Sequence, residues 1–225
     1  MILQNILQAA RLKLLSDPFA KEMMITQMSE VAIKRINNLR TVDRSDEARK
    51  VALETADELV KYWKSDVQNP VYIHAIALLY MKTDDFDCGV KIIKAFTEKL
   101  SGNTIDLTTC YLDLGRLYSL LGGFPMEELE CYVQAYKSVG PPKGKFPATR
   151  KDKAECCYCI FKLAEWLQQD KIASWYRLKC ENLTDGVKLH YDFAANDFFA
   201  DRRDQPTPEV VARVNALLKG YDILC

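Results

Sequence analysis

The chain is predicted to be all-α, an array of about ten helices paired as antiparallel hairpins and stacked as a short α-solenoid. Three observations predict this. Apolar residues recur at helical spacing, and no stretch alternates apolar and polar residues for long. Glycine (9) and proline (8) are scarce among 225 residues, of which 48% are hydrophobic. The stretch 71–100 reads as two helices around a tight acidic turn, and a second copy follows it.

The elements follow in order. Residues 2–15 form a short amphipathic pattern with Leu3, Ile6, Leu7 and Ala10 on one face. No basic region precedes its apolar residues, so no signal peptide is expected. Ser16-Asp17-Pro18 is a stop and restart, a capping residue followed by proline at the first helical position. The helix over 18–39 places Met24, Met28, Val31, Ala32, Ile36 and Leu39 along one side. A methionine stripe of this kind is either core or an adaptable binding surface, and core is the expectation. After a polar turn at 41–45, a helix over 45–64 directs Val51, Ala52, Ala56, Leu59, Val60 and Trp63 inward. Its other face carries Glu54, Asp57, Glu58 and Lys61.

Asn69-Pro70 opens the stretch that organises the rest. Ile73, Ile76, Ala77 and Tyr80 share one helical face, Asp84-Asp85 break the pattern, and Val90, Ile93 and Phe96 continue it in the next helix. Gly89 and Ala77 are small where two helices cross. In the second copy, over 104–137, Leu114, Gly115, Tyr118 and Phe124 each stand 38 residues after Ile76, Ala77, Tyr80 and Phe86. Residues 139–149 hold two glycines and three prolines, which exclude regular structure. A third hairpin spans 151–183, with Leu163 and Ala164 repeating the large-small pair and a turn at Gln169-Asp170 that lacks glycine. The stretch 184–206 is irregular and rich in Asp, Asn and aromatics. A last helix opens at Thr207-Pro208-Glu209 and stops at Gly220, as a terminal cap. The domain organisation is therefore 1–66, then hairpins over 67–183, then 184–225.

Charge and chemistry narrow the function. Lys plus Arg (31) equals Asp plus Glu (31), so nothing draws the whole chain to nucleic acid or an anionic membrane. One local cluster departs from neutrality: Lys143, Lys145, Arg150, Lys151 and Lys153 against Asp152. It is either a phosphate or acidic-peptide grip or a solvated loop. A nucleic-acid-associated regulator using this loop is the alternative function it leaves open. The longest nearly apolar run, 75–81, is too short to span a bilayer. The eight cysteines sit mostly at helical positions, which suits reduced thiols in a cytoplasmic protein. Cys156 and Cys159 form a Cys-x-x-Cys pair, but no second pair or nearby histidine completes a zinc set, and no metal or cofactor is expected. With only His74 and His190 available, and no phosphate loop or nucleophile elbow, no enzyme is expected.

The hairpins resemble tetratricopeptide (TPR) repeats. That family shows a large-small pair and an aromatic in its first helix, a Gly-Asp-aromatic turn, and a small residue early in its second helix. Ile76, Ala77, Tyr80, Asp85, Phe86 and Gly89 match in the first copy. Leu114, Gly115, Tyr118, Gly123 and Phe124 match in the second, and Leu163 and Ala164 in the third. The 38-residue offset departs from the usual period of about 34 residues, and no repeat ends in proline. The resemblance implies a protein-interaction module, an adaptor, assembly factor or chaperone, that binds a peptide or amphipathic helix of another protein in a concave groove. It places that groove on the first helices of successive hairpins. The residues implied are His74, Leu78 and Met81, then Leu112 and Arg116, then Phe161 and Glu165 with Tyr158 one turn earlier. A structural homo-oligomer, with hairpin faces stacking between chains, is a further reading.

Overall fold

The computed structural model describes residues 17–65, 70–100, 107–139, 150–184 and 207–220. These are all-helical: α1 (Pro18–Thr41), α2 (Ser45–Ser65), α3 (Pro70–Tyr80), α4 (Phe86–Leu100), α5 (Thr108–Leu121), α6 (Pro125–Ser138), α7 (Arg150–Trp166), α8 (Asp170–Thr184) and α9 (Pro208–Gly220). Helices adjacent in sequence pack as pairs. The expected 2–15 helix, most of the 139–149 loop and nearly all of 184–206 lie outside the described residues. No described helix is long and apolar enough to cross a membrane.

The chain divides into two compact units, Met1–Asp85 and Phe86–Cys225. The division falls at the turn of the stretch 71–100, so the two helices expected to form one hairpin belong to different units. The expected boundary near 66 precedes α3, which this division groups with the first unit. The physical reason lies in α3 itself. Tyr72, Ile73, Ala75, Ile76, Ala77, Leu79 and Tyr80 are all buried, so it is apolar on nearly every side. Within the first unit it packs against both α1 and α2.

Proline starts and polar caps set the helix ends. The Asp17 carboxylate accepts from the Phe19 N–H at 2.9 Å, and Pro18 occupies the first turn, where its missing N–H costs nothing. On α2, Ala48, Ala52, Ala56, Leu59 and Trp63 are buried. The three alanines allow close approach, and Trp63, 1% exposed, contributes roughly 2–3 kcal/mol of burial. After α3, Thr83 is fully buried; its hydroxyl donates to the Tyr80 carbonyl at 2.9 Å and accepts from the Asp85 N–H at 3.1 Å. Arg40 of α1 donates to the Lys82 carbonyl at 2.6 Å, holding the same turn.

One helix turned differently from expectation. On α1 the buried side chains are Ile25, Ser29, Ala32 and Ile36, while Val31 is 66% exposed and Met24 and Met28 are half-buried. The methionine stripe is the margin of the buried face, one residue out of phase with its centre.

In the second unit α5 and α6 approach closely at a glycine. Gly115 lies against the ring of Tyr132, itself 0% exposed. The turn between them uses Gly122 (φ 74°) and Gly123 (φ 76°), left-handed conformations that side chains resist. Phe124 closes it, its ring 6.0 Å from that of Tyr118. The α7–α8 turn lacks glycine, and Gln168 takes the left-handed conformation instead (φ 57°), with the Gln169 N–H donating to the Ala164 carbonyl at 2.8 Å. One core of Leu112, Leu129, Tyr132, Cys156, Ile160, Leu163, Leu167 and Tyr176 joins these helices, and Val214 of α9 enters it fully buried.

Candidate functional site

The residues expected to line a groove divide between the two units. In the first, His74 and Leu78 lie one turn apart on α3, and Met81 follows in the turn; all three are half-buried. The five in the second unit are only partly presented to solvent. Leu112 is 3% exposed and packs within the core, so it corrects the expectation of a groove side chain. It shares that core with Leu129 and Tyr132 of α6 and Cys156 and Ile160 of α7.

Arg116 is likewise engaged inside the protein. Its guanidinium donates to Asp113 on the same helix at 3.1 Å and pairs with Glu155 of α7. Side-chain exposures are 12% for Arg116, 0% for Asp113 and 16% for Glu155. Burial, the largest single influence, would lower the Arg116 pKa, but Asp113, through its charge and its hydrogen bond, together with Cys159 and Tyr132, outweighs it and the pKa is raised above its ordinary value. The arginine is a charged tie between α5 and α7 rather than a groove contact.

Tyr158, Phe161 and Glu165 do come together along α7. The rings of Tyr158 and Phe161 stand edge to face with centroids 5.0 Å apart. Phe161 is 9% exposed and belongs to the core; Arg177 of α8 lies 5.4 Å from its ring centroid and pairs with Glu165. Lys162 reaches Glu165 at 3.7 Å. Arg177 was not anticipated, although Phe161 and Arg177 stand at similar sequence distances from the turn at Gln168. That symmetry is what an antiparallel hairpin turns into contact.

The basic cluster is only partly within view. Lys143 and Lys145 lie outside the described residues, and Arg150 and Lys151 are described only as backbone in the first turn of α7. Lys153 is described, and it leads to a feature that the sequence did not reveal. Its ammonium lies 5.3 Å from the centroid of the Tyr136 ring on α6. Lys179 of α8 approaches the same ring at 5.2 Å and donates to the Tyr136 hydroxyl at 3.4 Å. Lys179 also lies 4.8 Å from the Trp175 ring and 5.3 Å from the Tyr176 ring. Tyr136 and Tyr176 meet edge to face at 6.0 Å. Beside this cluster Trp175 is 43% and Leu178 52% exposed.

The Cys-x-x-Cys pair faces the core. Cys156 is 0% and Cys159 5% exposed, and burial raises both thiols, Cys159 to about 12, against a smaller opposing pull from Arg116. Among the described residues no three His, Cys, Asp or Glu side chains gather as metal ligands. Protonated, buried thiols of this kind serve as small core residues. No protein-family profile matches the chain, and neither a curated protein nor a solved structure shows significant similarity to it.

Proposed function

We propose that this chain is a protein-binding module, an adaptor, assembly factor or chaperone built on TPR-like helical hairpins, which holds a peptide or amphipathic helix of a partner. The observation that carries this reading is the outer face of α8. There Trp175 and Leu178 are exposed one turn apart on a rigid helix, flanked by Lys179. Tryptophan is enriched among the few residues that dominate binding energy, and a fixed helix presents it at low entropic cost. Burial of Leu112 and Phe161 speaks against a groove at those positions on α5 and α7 and supports the choice of α8.

The test is capture from the native cell with the full chain and with a Trp175→Ala, Leu178→Ala variant, helicity of both checked by circular dichroism. A stoichiometric protein partner held by the parent and released by the variant is the expected result. Self-association of the parent in sedimentation, abolished by the same variant, would assign the surface to the homo-oligomer instead. Partner retention by the variant at unchanged affinity would remove α8 from the reading.

A further inference from the structure

We propose that the surface formed by Lys153, Tyr136 and Lys179 docks an acidic protein segment, whose apolar side chain seats on Trp175 and Leu178. The proposal rests on the protein-binding reading above and names the chemistry of the partner. Both ammoniums lie within 5.3 Å of the centroid of one ring, so they stand within roughly one Debye length (about 10 Å) of each other. Neither forms an ion pair with a described carboxylate. Aromatic faces hold them in place, through attraction to the ring quadrupole. Their positions are therefore fixed before any ligand arrives, while their charge is left to be matched.

A second line of evidence places both charges at one spot. Burial first, then the neighbouring Cys180, lifts the Cys157 thiol to about 12, and Lys179 and Lys153 both act on it in the opposite sense. Helix geometry then links the cations to the apolar anchor. Trp175 and Lys179 are four residues apart on α8, so a ligand covering Trp175 and Leu178 runs past Lys179. The partner is a protein segment rather than a nucleic acid. The chain as a whole is neutral, the cationic excess is local, and aliphatic Leu178 is the most exposed apolar residue of the face.

The experiment uses the full chain and a fluorescein-labelled twelve-residue peptide of Asp and Glu around one Leu and one Phe. A twin carries Asn and Gln in place of the acids. In fluorescence anisotropy the acidic peptide is expected to bind about tenfold more tightly than its twin, with the advantage shrinking at high salt. Lys153→Gln with Lys179→Gln should erase that advantage, whereas Lys179→Arg should keep it. Trp175→Ala should weaken both peptides alike. Equal binding of the two peptides, no binding of either, or a lysine variant that still prefers the acidic one overturns the proposal. So does tighter binding of a twelve-residue oligouridylate. Zero-length carboxyl–amine cross-linking of Lys153 or Lys179 to the chain's own aspartates between 185 and 206 overturns it as well. A cellular partner released by the Trp175 and Leu178 changes but held equally by the lysine variant would leave the protein-binding reading standing and this one refuted.

Discussion

Gly115→Ala adds one methyl group where α5 crosses α6, and its cost follows from the geometry. A Cβ built on Gly115 stands 2.4 Å from Cε1, 2.7 Å from Cδ1 and 3.0 Å from Cζ of Tyr132. The ring cannot swing away, because Tyr132 is 0% exposed and packed on the α7 core. Overpacking of this kind costs about 1–3 kcal/mol, and contact with three ring atoms puts this case at the upper end. Alanine recovers about 1 kcal/mol of helix propensity relative to glycine. The net expectation is destabilisation by about 2 kcal/mol, read as a fall in the urea midpoint followed by far-ultraviolet circular dichroism. A double-mutant cycle isolates the cause. In a Tyr132→Leu background the ring is gone, and Gly115→Ala should become neutral or stabilising, leaving a coupling of about 2 kcal/mol. Equal or greater stability of the single variant would refute the close-approach argument. A cost that persists unchanged in the Tyr132→Leu background would refute it too.

Two further predictions follow from the same unit. Arg116→Met takes the guanidinium from Asp113, which is 0% exposed, and from Glu155; breaking a buried pair on one side costs about 3–5 kcal/mol, and a measured loss below 1 kcal/mol would show that the tie between α5 and α7 is not structural. The thiols predict a pH dependence. Burial raises Cys157 and Cys159 to about 12 and Cys180 to about 11, against an ordinary value of 9.0, so the folded chain retains protons that the unfolded chain releases. This contribution is complete below pH 9 and declines as pH rises toward 12, so the urea midpoint should fall between pH 8 and 11. A chain with Cys157→Ala, Cys159→Ala and Cys180→Ala should fall less steeply, and an equal slope would assign the ionisation elsewhere. Iodoacetamide should label half-exposed Cys88 before the six buried thiols.

Much of the fold was legible because its punctuation is chemical. Proline at 18, 70, 125 and 208 marks four helix starts, and Gly122-Gly123 marks a turn that requires positive φ. The small residue at 115 was legible as a crossing point, since only a neighbouring helix gives a glycine there a purpose. Rotational phase was not. Along α1 both the Met24–Met28–Val31 row and the Ile25–Ser29–Ala32 row have helical spacing, and the buried row is the one containing a serine. Periodicity weighs apolar character; packing also accepts a small polar residue whose hydroxyl is satisfied, here by donating to the Thr26 carbonyl at 2.9 Å. The burial of Leu112 and Phe161 escaped the sequence for a related reason. Repeat logic assigns Leu112 and Phe161 to an open face, but which helix lies over a face depends on residues distant in sequence, such as Arg177. The Lys153–Tyr136–Lys179 cluster draws on three helices, and no local window contains it.

The pairing of helices with their sequence neighbours has a kinetic consequence. In α5–α6 and α7–α8 the partners are joined by turns of three residues, so their contacts close over short loops at little entropic cost. Chains dominated by such local contacts fold in microseconds to milliseconds. Helix α9 is the exception, since it reaches back to α6 across two intervening helices and buries Val214 in a core that the earlier pairs must already have assembled. During synthesis the α5–α6 and α7–α8 hairpins would therefore emerge preformed, awaiting α9. Closure of that core then depends on the docking of Val214.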